Sequence, residues 1–241
     1  MKIQAKISLS LLIFTSFANS MKCQNLNIGI TANLGLSKVT SNFLVSDDYK
    51  VKYTYSGNIG VFIEKEIGNK SSLGAEVLWV QIEGKETTDN KILTAFDGQD
   101  LKVVGIISDV AKLNSSYIAF PFYYRVQLNK IGIKIGLQTM FFLFANSSCE
   151  ATGELNGKPY YGKSNTSGIK FDIIDFGPKI GVEYNLGMSL KLRADYYLGL
   201  PDITSDSSPF ERKNRQGNLG INYRFNFKEK TSRKEISYDY N

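Results

Sequence analysis

The chain contains no histidine at all. That absence removes serine–histidine–aspartate triads, histidine-ligated zinc and histidine general bases together. Cysteine is nearly as scarce: Cys23 and Cys149 are the only two, too few for a thiolate metal site or a disulfide scaffold. No apolar run reaches the about 20 residues that a membrane-spanning helix requires. No lysine/arginine block stands out, so neither nucleic acid nor nucleotide is expected as a partner. The 29 basic residues against 23 acidic give a formal +6. Loss of Lys2 and Lys6 with a cleaved leader would leave 27 basic residues and a net charge of +4. Against these gaps stand 21 glycines, 14 tyrosines and 15 phenylalanines, a mixture that suits sheet rather than helix.

The N-terminus reads "MKIQAKISLSLLIFTSFANSMKCQ". Lys2 and Lys6 form a positive head, Ile7 to Ala18 an apolar core, and Ala18 and Ser20 a small-x-small cleavage signal. Residues 1–20 are therefore expected to be a signal peptide, cut after Ser20 or, as the later alternative, after Cys23. Lys22 stands where a lipoprotein signal would have a small residue, which argues against lipid on Cys23.

From residue 24 to 227 the hydrophobic period is two. In "NLNIGITANLGLS" Leu26, Ile28, Ile30, Ala32, Leu34 and Leu36 alternate with Asn and Gly or Thr. The same alternation runs through "YTYSGNIGVFIEKEI", "IIDFGPKIGVEY", "MSLKLRADYYLGL" and "GNLGINYRFNF". It is weaker in "SSLGAEVLWVQIEG", "SSYIAFPFYYRVQ" and "IGIKIGLQTMFFLF". These segments predict eight strands of about ten residues or more, the length a tilted strand needs to cross a bilayer. Short turns at 68–71, 128–130 and 185–187 alternate with long polar stretches at 39–52, 85–113, 146–168 and 200–215. Outer-membrane barrels show that asymmetry, with short periplasmic turns and longer extracellular loops. The fold class read here is all-β: an eight-stranded antiparallel up-and-down transmembrane β-barrel over 24–227, followed by a polar tail at 228–241.

A soluble lipocalin-type barrel has the same strand number and would reverse the two faces. Alternation alone leaves both open. Three features favour the membrane form: one face is almost free of charge, connection lengths alternate strictly, and strands finish in aromatics such as Tyr184, Tyr223, Phe225 and Phe227.

"GITANLGLS", "SSYIAFPFYYRV", "DFGPKIGVEYNL", "LKLRADYYLGLPDI" and "LGINYRFNF" resemble the PorT-like outer-membrane β-barrel proteins of Bacteroidota, over about residues 25–227. The resemblance implies a barrel inserted by the barrel-assembly machinery, which would read Tyr223, Phe225 and Phe227 as a terminal-strand signal. The tail "KEKTSRKEISYDYN" after Phe227 departs from the usual ending. Family members include a component of type 9 secretion and gliding, so secretion-system or other envelope proteins are expected partners alongside outer-membrane lipid. Fold by itself does not supply function.

If the apolar face meets lipid, the lumen receives Glu64, Glu66, Glu76, Asp175, Glu183 and Asp195 with Arg125, Lys134, Lys179, Lys191, Arg193 and Arg224. Eight strands enclose a space that side chains can fill, and charges withdrawn from water must be paired. A salt-bridged plug is expected, with a proton or ion relay as the alternative. "GKPYYGKS" (157–164) fits the phosphate-loop pattern, yet Pro159 removes a backbone donor and a turn and strand follow instead of a helix. A surface loop is the expectation. Asp97, Asp100 and Asp109 have no calcium-loop spacing, and neither metal nor cofactor is expected. "LKVVGIISDVAKL" in the 85–113 stretch reads either as a strand extension above the membrane or as a docking segment. The function expected is a non-enzymatic barrel that acts through its loops or its tail as a structural or partner-binding component. A small outer-membrane enzyme and a soluble ligand-binding barrel are the alternatives.

Overall fold

The computed structural model describes residues 26–41, 49–97, 100–169, 171, 173–203 and 212–225. The leader, the polar tail and Phe227 lie outside the described residues. Among the described residues ten strands follow one another: β1 Leu26–Ser41, β2 Tyr49–Lys52, β3 Thr54–Gly68, β4 Ser71–Asp97, β5 Asp100–Leu128, β6 Ile131–Leu155, β7 Lys158–Ser167, β8 Ile174–Asn185, β9 Leu190–Leu198 and β10 Arg212–Phe225. Eight of them close a ring in the order β1, β3, β4, β5, β6, β8, β9, β10, with every neighbouring pair antiparallel. Closure rests on β1 against β10, which pair from Ile28↔Phe225 to Ser41↔Arg212. A closed ring leaves its strands without free edges, the condition for crossing lipid with strands.

The two faces follow the pleat. Ile30, Leu34, Ile59, Trp79, Ile135, Ile180 and Leu219 are exposed on the outside, while Glu76, Lys134, Glu183 and Arg193 are buried inside. Those are the faces of the membrane barrel, the reverse of a soluble ligand-binding one. Inward glycines leave room for the backbone and side chains of the neighbouring strand β5. A Cβ on Gly136 would sit 2.0 Å from the Phe122 carbonyl oxygen, and one on Gly74 would strike the Tyr123 ring at 2.3 Å.

Two long polar stretches continue as strand. In 85–113 the strand extension that "LKVVGIISDVAKL" offered as one of two readings is what forms: β4 and β5 run 27 and 29 residues and stay paired out to Asp97↔Asp100. Residues 146–168 form a second hairpin of β6 and β7, turned by Asn156 and Gly157 at φ 52° and 72°. Positive φ at both central residues is the two-residue hairpin turn that Asn-Gly favours. Above the lipid both sheet faces are wet, so the strand persists while its hydrophobic alternation disappears. The phosphate-loop motif is accordingly neither loop nor cradle: Lys158 to Ser164 lie in β7, paired with Leu155 to Cys149.

Candidate functional site

The period-two rule aims one residue in two at the lumen. Height along the barrel then decides what each of them meets. Near the short turns the inward residues are ionic. Glu76 of β4 accepts two bonds from Arg193 of β9, Nη1 to Oε1 at 2.9 Å and Nη2 to Oε2 at 3.2 Å. Lys134 Nζ of β6 bridges Glu76 Oε1 at 3.1 Å and Glu183 Oε1 at 3.0 Å. Lys179 approaches Glu76 Oε2 at 3.9 Å and donates to Gln138 Oε1 at 2.9 Å. Arg193 Nε donates to Asp195 Oδ2 at 2.6 Å.

Glu183 continues the web. It meets Lys191 at 3.4 Å, Arg125 at 3.6 Å and the Asn222 amide at 2.7 Å. Arg125 Nη2 reaches Glu64 Oε1 at 2.7 Å, and Lys191 lies 3.8 Å from the same oxygen. The Lys134 ammonium also sits 3.9 Å from the Tyr123 ring centroid, a cation–π contact that shields one side of the charge. Nine of the twelve expected lumen residues therefore form one connected cluster, with four carboxylates and five cations.

The other three are placed elsewhere, and each difference has a positional cause. Asp175 is inside but stands apart, beside Asn214, whose Nδ2 donates to Asp175 Oδ2 at 2.9 Å. Its Oδ1 has no partner among the described residues, and none of their cations pairs with it. The Tyr197 hydroxyl lies next to it without completing a hydrogen bond of normal geometry. Glu66 and Arg224 stand at the turn end, where the lumen opens. Glu66 is exposed and accepts from Asn27 Nδ2 at 3.2 Å; Arg224 donates to Asn27 Oδ1 at 3.3 Å and to the Met188 carbonyl at 2.5 Å. They form a rim, outside the plug.

Toward the hairpin end the lumen is apolar on the side of β4, β5, β6 and β9, which the sequence reading did not foresee, while β1, β3 and β10 face it with buried polar side chains such as Ser37, Ser56, Asn58, Gln216 and Asn218. Leu78, Val80 and Ile82 of β4, Tyr117 and Ala119 of β5, Met140 of β6 and Tyr197 of β9 pack together under Phe171 and Ile203. Phe142 joins the cluster edge-on to Tyr117 at 5.7 Å and to Phe171 at 5.4 Å. The polar partners of the ionic layer (Thr31, Ser72, Gln138, Asn222) were missed too, although they share its face. Extending the same alternation beyond charged residues would have found them.

Tyr223 and Phe225 lie on the lipid face, edge to face at 5.8 Å. In the outer hairpin Lys163 donates to Glu150 at 2.7 Å, and that bond holds the Glu150 carboxyl below its ordinary value. Burial, followed by the nearby Asp109 carboxylate, pushes the Cys149 thiol up. Among the described residues no group of three or more His, Cys, Asp or Glu could hold a metal ion.

A lipid-facing apolar exterior around a polar, closed ring is the signature of an outer-membrane barrel. The profile of the outer membrane protein beta-barrel domain matches residues 17–205. The chain belongs to this family. It is an outer-membrane protein. Solved structures similar to it include Ail, the attachment invasion locus protein of Yersinia pestis, at 13% identity and TM-score 0.38 over 84% of this chain and 100% of that one. Neisserial surface protein A aligns at 11% identity and TM-score 0.38, over 84% and 100%. The outer membrane protease OmpT of Escherichia coli aligns at 12% identity and TM-score 0.35, over 86% and 98%. No curated protein matches the chain.

Proposed function

We propose that this family member is a non-enzymatic barrel that works through its projecting hairpins rather than through its lumen. The observation that carries this reading is the packed interior: an ionic layer near the short turns and, toward the hairpins, an apolar cluster facing buried polar side chains occupy the space that eight strands enclose. Function then falls to the sheet that continues beyond the ring, where β2, β4, β5, β6 and β7 lie side by side. That sheet serves as a structural or partner-binding element on the cell surface. The turn end, with the tail, faces the periplasm after removal of the leader. The resemblance to PorT-like proteins supports a place among envelope proteins of the type 9 secretion and gliding machinery.

Two measurements test the proposal. The purified protein should give no stable openings in planar bilayers, and large steady openings would sink the closed-lumen reading. Cross-linked pull-down from native outer membrane should recover a partner that is lost when the 87–109 hairpin is shortened. Partner recovery unchanged by the shortening would remove the hairpin from the function. Orientation is read independently with a membrane-impermeant maleimide, which should reach Cys149 on intact cells. The raised thiol pKa means its labelling should keep accelerating to higher pH than an ordinary cysteine.

A further inference from the structure

On the outer wall, β1 presents an unbroken lipid-facing series from Leu26 through Leu36 and then Lys38. Its neighbour β10 does the same in reverse, from Phe225 through Leu219 to Arg215. The register sets Lys38 directly opposite Arg215. Like charges facing each other across two strands repel. Among the described residues neither cation forms an ion pair, although pairing fills the lumen a few ångströms away through the wall. The Lys38 ammonium lies 5.4 Å from the Tyr53 ring centroid, with Tyr53 and Tyr55 exposed beside it. A change from apolar to aromatic and basic side chains along an outer wall is what barrels show where hydrocarbon gives way to headgroups.

A second feature lies directly below. The lipid face carries a groove of about 540 Å³. Ala32, Leu34, Gly57, Ile59, Trp79 and Leu219 line it, with Gln81 at the same height. It exists because small residues stand where neighbouring strands carry bulky ones: Gly57 is opposite Leu34, and Ala32 is opposite Ile59. From Leu34 to Lys38 the strand rises about 13 Å at ~3.3 Å per residue. One lipid molecule spans such a distance from upper acyl chain to headgroup phosphate.

We propose that Lys38 and Arg215 clamp the headgroup phosphate of a lipid in the adjoining leaflet while its acyl chain lies in the groove beside Trp79. Two cations on neighbouring strands suit the separate oxygens of one phosphate, and the bound anion turns their mutual repulsion into attraction. The site depends on the barrel spanning the membrane, but not on which end faces outward.

Trp79 is the only tryptophan in the chain, so it reports groove occupancy without labelling. Full-length protein reconstituted in phosphatidylcholine vesicles is titrated with brominated-chain phosphatidic acid, or with brominated phosphatidylcholine, and Trp79 quenching is followed. Phosphatidic acid should occupy the groove about tenfold more strongly, an effect in keeping with two basic residues near a charged lipid. The pair Lys38→Gln/Arg215→Gln should abolish the preference, and Lys163→Ala should retain it. Equal quenching by both lipids, or a preference that survives the double variant, overturns the proposal. So does loss of the preference on adding millimolar inorganic phosphate, which would mean the cations bind free phosphate and not a lipid. The double variant alters only the outer wall, and unchanged heat-modifiable gel migration verifies its fold.

Discussion

Glu76 and Asp175 are both buried carboxylates inside the same barrel, and they are solvated in opposite ways. Glu76 meets Arg193 twice, Lys134 once and Lys179 at longer range. Asp175 has an amide donor from Asn214 and no cation among the described residues. The first sits in the ionic layer; the second lies at the edge of the apolar one, four residues before Lys179 on β8, or about 13 Å at ~3.3 Å per residue. A lumen of eight strands can therefore be closed by two different chemistries. Ion pairs fix a single arrangement because each charge needs its partner, whereas apolar packing fills space without specifying partners.

The largest effect should come from cutting the ionic layer at its most connected cation. Arg193→Ala strands the buried Asp195 and takes from Glu76 its two-pronged partner, leaving it Lys134 and Lys179, and removing one partner of a buried pair costs about 3–5 kcal/mol. Urea unfolding, followed by the gel shift between folded and boiled forms, should record a loss of that size. A loss below about 1 kcal/mol would show that water reaches the network and screens it. Leu78→Ala in the apolar layer should cost somewhat less, about 2–4 kcal/mol, through lost burial and the cavity left behind. If it cost nothing, the upper layer would not be a packed core.

These layers differ in how far sequence could reveal them. Strict alternation places Glu76, Glu183 and Arg193 on one face, and the absence of charge on the other face identifies it as the lipid side. In "EVLWVQI" both faces are apolar, so alternation carries no contrast and Leu78, Val80 and Ile82 pass unnoticed as lumen residues. Periodicity also reports face but not height. Glu66, Asp175 and Arg224 share the inward parity of the network, yet the rim or the apolar layer claims them. The long hairpins are faint in sequence for a related reason, with "LKVVGIISDVAKL" the one stretch that offers a strand extension: a strand wetted on both sides keeps its ladder and loses its hydrophobic signature. Its register with β5 still bends where the pairing slips between Thr88 and Lys91, at Asn90 with φ 54°.

Asp175→Asn sharpens the contrast between the two carboxylates. The amide keeps the shape and removes a buried charge that has no cation. Replacing an uncompensated buried charge with a neutral group relieves its desolvation, so stability should stay level or rise by about 1 kcal/mol. The corresponding change at the paired site, Glu76→Gln, should lower stability instead, because Arg193, Lys134 and Lys179 lose their shared counter-charge. Opposite signs for two carboxylate-to-amide changes in one lumen form a stringent test, read by the same unfolding assay. A large loss at Asp175 would place a counter-charge there and erase the distinction.

The smallest effect belongs to Lys163, where the sequence looked most like a catalytic motif. Lys163 is exposed in β7, and its ammonium is engaged by Glu150 across the hairpin at 2.7 Å. A phosphate-loop lysine has to project from a strand-to-helix turn whose backbone N–H groups converge on one point. Here the neighbouring residues run as an extended strand, and alternate backbone groups point away from each other toward β6 and solvent. No convergent cradle can form in that geometry, whatever the eight letters spell. Exposed ion pairs contribute little because water already solvates both partners. Lys163→Ala should therefore leave barrel unfolding unchanged, and titration with ATP should show no saturable binding before or after the substitution. Saturable binding abolished by Lys163→Ala would restore the motif and require this hairpin to refold around a nucleotide.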